Sequence, residues 1–201
     1  MQPQIYGIGN PLIDILISAT DTDLKKLELA KGVMHLVDEV RQSEIIQYFN
    51  NSNHKYMPGG SAPNTILACA GLGISSLISG KIGDDKFGNI YEEQAKQYGA
   101  INGLVKGSGV TGSSIILVTP DGERTMNTHL GMCCEFSPED INESKLAKSN
   151  FLYFTGYMWD TDSQKNAINY AISIAKENDV QIIFDVADPF VVDRNSLEFL
   201  K

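Results

Sequence analysis

Several things that would mark out whole classes of protein are scarce in this sequence. Only three cysteines occur in 201 residues, Cys69, Cys133 and Cys134. An adjacent pair plus one single is not a disulfide framework and reads as reduced thiols. His35, His54 and His129 are scattered, with no metal-ligand spacing to the cysteines, so no metal site is expected. No apolar run approaches the roughly 20 residues needed to span a bilayer, so no membrane partner is expected. The opening Met1-Gln2-Pro3-Gln4 lacks a cationic stretch followed by a long apolar one, so the expected location is cytoplasmic. Basic clusters are also missing and the net charge is −9, which argues against a nucleic-acid partner.

What is present is a chain with 42% apolar residues, enough for one globular domain or one with a small appendage. Continuous apolar runs predict strands over residues 4–8, 77–81, 151–154 and 181–185, the last read as buried. Looser strand patterns cover 14–19, 33–37, 113–119 and 124–130, and Pro120-Asp121-Gly122-Glu123 makes a hairpin turn between the last two. Helices are predicted over 23–29, over 43–49 with Ser43 as cap, over 84–98 and over 163–177. A broken helix is expected over 138–148 and a further one from 193. Strand–helix alternation implies a parallel sheet with helices on both faces, and the hairpin-like pieces form a small separate sheet.

The richest stretch is Pro58-Gly59-Gly60-Ser61-Ala62-Pro63-Asn64, followed by the apolar run Thr65-Ile66-Leu67-Ala68-Cys69-Ala70. Two glycines let the backbone approach a ligand closely, and a helix beginning there aims unpaired N–H groups at it. Ser61 and Asn64 add polar side chains at the same mouth. An ordinary turn before a helix has the same spacing. Asp14 follows the first strand, where α/β proteins place their ligand crevice, and a carboxylate there accepts hydrogen bonds from neighbouring hydroxyls. A solvated turn is the plain alternative for Asp14. Arg124 follows the hairpin, where a guanidinium either reaches a phosphoryl group or pairs with Glu123 or Asp121. Gly7-Ile8-Gly9 suggests a dinucleotide loop, but Leu12 stands where its third glycine belongs, which weakens a dinucleotide-dependent oxidoreductase.

Four ordered stretches carry a resemblance. They are Gly7-Ile8-Gly9-Asn10-Pro11-Leu12-Ile13-Asp14, the Gly59-Gly60 segment, Ser79-Gly80-Lys81-Ile82-Gly83-Asp84-Asp85-Lys86-Phe87-Gly88, and the run from Thr111 through Pro120-Asp121-Gly122-Glu123-Arg124 to Met126. Together they resemble the ribokinase/PfkB family of sugar and nucleoside kinases, closest to its adenosine kinase branch. The resemblance implies a ribokinase-like α/β fold, a mostly parallel sheet flanked by helices on both faces. A small β-sheet lid, from segments at about 14–40 and 103–130, would cover the substrate. It implies ATP-dependent phosphotransfer to a hydroxymethyl group of a nucleoside or sugar, with ATP and Mg2+ as cofactors. Asn10, Asp14, Gly60, Ser61 and Asn64 fall where the family grips the sugar. Ser114, Met126, Thr128 and Tyr157 fall where the adenosine kinase pattern faces the nucleoside, and Arg124 falls over the active site in a phosphate or lid role. Asp185 and Asp188 end the last strand, with a turn role ahead of Pro189.

The sequence departs from the family in lacking its Gly-Ala-Gly-Asp catalytic stretch, its Asn-x-x-Glu element and its ATP-binding region. The expectation is therefore an N-terminal part of such a kinase, with the C-terminal ATP-binding part absent. A complementing C-terminal segment or a homodimer would complete it. Two alternatives stay open: a family kinase acting on a ketose or 2-keto-3-deoxy sugar acid, and a non-catalytic module that binds a nucleoside or sugar. Replacing Gly60 by Val is expected to block the site at a smaller stability cost than a core change.

Overall fold

The structure is a computed structural model that describes residues 2–187 and 189–199. Asp188 therefore lies outside the described residues. Five strands, β1 (Ile5–Ile8), β5 (Ser76–Gly83), β6 (Ile101–Gly107), β9 (Phe151–Thr155) and β10 (Gln181–Asp185), form an all-parallel sheet in the order β10-β9-β1-β5-β6. The others, β2 (Leu12–Ser18), β3 (Met34–Leu36), β4 (Lys55–Gly59), β7 (Thr111–Val118) and β8 (Arg124–Gly131), form a mixed sheet in the order β3-β8-β7-β2-β4. Among the described residues the α-helices are α1 (Asp21–Lys26), α2 (Glu39–Tyr48), α3 (Ser61–Gly71), α4 (Lys86–Gln97), α5 (Glu143–Leu146), α6 (Asp162–Glu177) and α7 (Pro189–Phe199), the last of which follows β10. None of the described helices is long and apolar enough to cross a membrane.

Side-chain alternation along the strands divides the apolar residues between two cores. From β1, β5 and β9, the residues Tyr6, Ile8, Leu77, Leu152 and Phe154 face the α6 side, against Ala167, Ile168, Ala171 and Ile174. The neighbours Ile78 and Tyr153 face the opposite side, with Ile66 and Leu67 of α3 and Tyr91 of α4. Continuous apolar strands are what a sheet covered on both faces requires. The mixed sheet contributes one face only to this second core: Ile13, Ile15 and Ile17 of β2 with Ile115 and Leu117 of β7, packed with Leu24 of α1 and Ile45 of α2. Its other face carries Leu12, Asp14, Ser114 and Ile116 and looks onto a cavity. A one-residue slip in either strand would exchange the two sets.

Several local expectations differ from the structure for identifiable reasons. Helix α2 begins at Glu39, not near Ser43, because Asp38 caps it by accepting from Arg41 N at 2.7 Å. Asp is as good an N-cap as Ser. Strands β4 and β6 were not legible as strands. Both are sheet edges, where Pro58, Asn102 and Gly103 are tolerated and apolar alternation is not enforced. Residues 101–107 belong to the parallel sheet and not to the mixed one, while 55–59 join the mixed one. Residues 181–185 form the expected strand but not a buried one. They pair only with β9, and Ile182 and Ile183 are 38% and 45% exposed.

Candidate active site

The chain leaves β1 with Gly9 and Asn10, and neighbouring β9 ends at Thr155. On one side of β1 the sheet continues to β5 and β6, and on the other to β9 and β10, so the strand order reverses beside β1. Ligand crevices of open α/β sheets lie at such points, outside the carboxyl ends of the strands. A cavity of about 270 Å³ lies here, bordered by Asn10 and Thr155 at the strand ends and roofed by the mixed sheet. That is close to the roughly 300 Å³ at which small-molecule pockets begin.

Asp14 sits in the middle of β2, paired with Met57 on one side and Ser114 on the other. Its carboxylate fits only because residue 59 is glycine: a Cβ there would lie 2.2 Å from Asp14 Oδ1. Burial pushes the Asp14 carboxyl up to about 6, and the Arg124 charge partly opposes the rise. Arg124 itself is exposed at the start of β8 and borders the same cavity. An adjoining hollow of about 410 Å³, bordered by Leu16, Met57 and Tyr98, shares Asp14, Asn64 and Arg124 with it. Asp14 is therefore reachable from open space although half-buried.

Gly60 caps α3 with φ +96°, a left-handed conformation that favours glycine. A Cβ there would meet the Asn10 carbonyl oxygen at 2.1 Å. With no side chain at the cap, no side-chain hydrogen bond closes the helix start. Among the described residues the Ser61 and Ala62 amides have no acceptor, Pro63 has no N–H, and Asn64 N already bonds Gly60 O at 2.9 Å. Ser61 and Asn64 are exposed at this mouth. The expectation that valine at 60 would cost less stability than a core change meets two opposing features, the positive φ and the clash with a backbone atom, which both add to its cost.

Asn10 is buried, and its Oδ1 accepts from Gln164 Nε2 at 2.8 Å. Across the roof, Ser114 and Thr128 are partners in the β7–β8 ladder, and their hydroxyl oxygens lie 2.8 Å apart. Met126 is half-buried on the same face, and Tyr157 comes from the short 3-10 helix Gly156–Trp159 that follows β9. The structure thus brings all ten expected residues, Asn10, Asp14, Gly60, Ser61, Asn64, Ser114, Arg124, Met126, Thr128 and Tyr157, to one cavity. Sequence reading missed the apolar wall of Leu12, Met34, Leu36, Ile116 and Leu130. The signal was available: Leu12 with Asp14, Ile116 with Ser114, and Leu130 with Thr128 and Met126 are each two residues apart along one strand and share its face. Asp185 closes a turn, accepting from Ala187 N at 2.9 Å. No group of three or more His, Cys, Asp or Glu side chains that could hold a metal occurs among the described residues.

Comparison with known proteins places this geometry. The model of the pfkB family carbohydrate kinases matches residues 34–198. A 5-dehydro-2-deoxygluconokinase of Halalkalibacterium halodurans is 28% identical over 84% of this chain and 51% of its own length. Adenosine kinase 2 of Arabidopsis thaliana is 23% identical over 94% of this chain and 56% of its own. The crystal structure of adenosine kinase from Sinorhizobium meliloti superposes with a TM-score of 0.88 at 34% identity, covering all of this chain and 61% of that one. The chain thus spans about half the length of the curated relatives it matches. On the extent of the family match, the chain belongs to the pfkB family of carbohydrate kinases.

Proposed function

We propose that this chain forms the substrate-holding part of an ATP-dependent kinase that phosphorylates a hydroxymethyl group of a nucleoside, with adenosine as the favoured substrate. One observation carries the reading. A half-buried carboxylate, Asp14, and the open amide start of α3 face the same cavity, beneath a sheet whose other cavity-facing residues are largely apolar. With its titration near 6, Asp14 is mostly ionised at pH 7 and accepts hydrogen bonds from ligand hydroxyls. The wall of Met34, Leu36, Met126 and Tyr157 suits a flat base better than a second polar group.

Arg124, at the rim, is the only cation among the described lining residues and is assigned to the phosphoryl group in transit. Phosphoryl transfer depends mainly on positioning and electrostatic stabilisation, and the mixed sheet serves it by excluding water. ATP is the phosphoryl donor in this reading and Mg2+ its companion ion. With no candidate metal cluster among the described residues, no side chain is assigned to the ion. The open edge of β10, with Ile182, Ile183 and Val186 exposed, supports cover by further polypeptide, a C-terminal segment or a second copy.

A second reading has one observation behind it. The same Arg124 would pair with the carboxylate of a 2-keto-3-deoxy sugar acid, and a curated relative is named for a related substrate. A thermal-shift panel of adenosine, ribose, fructose and 2-keto-3-deoxygluconate separates the two. Stabilisation by adenosine is expected, and stabilisation by the sugar acid alone overturns the nucleoside assignment. Binding without ADP formation from ATP would leave a binding module in place of a kinase.

A further inference from the structure

Gln164 is fully buried on the first turn of α6, seven residues beyond Tyr157, and carries no expected role of its own. Buried amides persist where all their hydrogen bonds are made. Its Nε2 donates to the Cys133 carbonyl oxygen at 2.8 Å and to Asn10 Oδ1 at 2.8 Å. Its backbone N–H is held by the cap residue, Thr161, at 3.3 Å. The orientation of both side-chain amides follows from chemistry alone. A backbone carbonyl only accepts, so the Gln164 atom facing Cys133 is nitrogen. That same nitrogen faces Asn10, so the Asn10 atom opposite it is oxygen. Asn10 Nδ2 is then left over, with no acceptor among the described residues, on a side chain that borders the cavity.

We infer that Gln164 is a positioning residue that locks Asn10 as a hydrogen-bond donor toward the ligand. This deepens the binding role proposed above for Asn10 and rests on it. Among its polar groups the cavity then offers a fixed donor, Asn10, and a charged acceptor, the Asp14 carboxylate. Ligand hydroxyls satisfy both kinds of group, an oxygen accepting from Asn10 and a hydrogen going to Asp14. A carbonyl satisfies only the donor, and a carboxylate is repelled by Asp14. The ligand class favoured at this end of the cavity is a neutral polyol. Without Gln164 the Asn10 amide is free to turn over and present an acceptor next to another acceptor.

The test uses Gln164→Met, similar in length and unable to donate, in the full chain with adenosine as the probe. Calorimetric affinity should fall roughly 3- to 12-fold, the value of one neutral hydrogen bond. In an Asn10→Ala background the same substitution should change affinity less than about twofold, because the two residues act as one unit. An equal loss in both backgrounds assigns Gln164 a purely structural role and overturns the inference. A readout without ligand is the side-chain amide signal of Asn10 in nitrogen–proton NMR spectra. Gln164→Met should shift it and speed its exchange with solvent, whereas an unmoved signal refutes the lock. Should Gln164→Met fail to fold, Gln164→Glu serves in both measurements, since its carboxylate cannot donate to two acceptors. If the native chain binds no member of the nucleoside and sugar panel, the functional reading fails, while the amide signal still decides for or against the lock.

Discussion

Ligand affinity should depend on pH through Asp14, with a midpoint near 6. Burial holds the Asp14 carboxyl above its ordinary value of 3.8, and the Arg124 charge only partly offsets this. A neutral carboxylic acid still hydrogen-bonds, but it loses the charge-assisted pair of acceptors that a diol needs. If only the ionised form binds well, the apparent affinity falls in proportion to the ionised fraction. From pH 8, where that fraction is close to one, to pH 5, where it is about 0.09, adenosine binding should weaken about elevenfold, or ~1.4 kcal/mol. Calorimetric titration across that range measures it. Asp14→Asn should give weak binding that is flat with pH. Arg124→Gln removes the opposing charge and should move the midpoint upward. Affinity that is flat in the native chain, or that strengthens on acidification, would refute the reasoning. The sign for the stability of the ligand-free protein is opposite. A carboxyl raised on folding is a cost that is fully present above about 6 and disappears below the ordinary carboxylate range. Asp14→Asn should therefore stabilise the free chain at pH 7, by something on the order of 2 kcal/mol, measurable by denaturant unfolding.

Gly59→Ala should displace the Asp14 carboxylate, since the new methyl falls 2.2 Å from Oδ1, and binding should drop while the backbone remains compatible with alanine. Unchanged adenosine affinity in that variant would argue against the placement of Asp14. Gly60→Val should lose about 2–4 kcal/mol from positive φ together with overpacking, comparable to Ile66→Ala, a fully buried helix residue expected to cost about 2–5 kcal/mol. Denaturant unfolding of the two side by side would show whether the clash with Asn10 matters. Asp85→Ala should cost about 1–3 kcal/mol, because Asp85 accepts from Gly88 N, Thr111 N and Thr111 Oγ1 at 2.7–2.8 Å. Burial alone would raise the Asp85 carboxyl, but these bonds outweigh it and hold it below the ordinary range. Its contribution to stability should therefore be present at neutral pH and fade on acidification below the ordinary carboxylate range.

Much of the site was legible locally because its chemistry is concentrated in short segments. Gly59-Gly60-Ser61 at a helix start and Asp14 just beyond the first strand announce themselves by residue type. Likewise the continuous apolar strands identify the parallel sheet, since a sheet buried on both faces selects such runs. Edge strands β4 and β6 escaped because a strand paired on one side does not need an apolar pattern.

The sequence by itself determined most of the segments that fold and the polar set that lines the cavity. Tertiary structure alone decided the rest. That Gly59 makes room for a carboxylate 45 positions earlier, and Gly60 for the Asn10 carbonyl, are facts of strand pairing and loop approach. The Gln164–Asn10 bond joins residues 154 positions apart, and no periodicity encodes it. The physical reason is range. Propensity and alternation act over a few residues, whereas burial, which lifts the Asp14 titration and makes a satisfied amide necessary at Gln164, exists only once distant segments have closed around them.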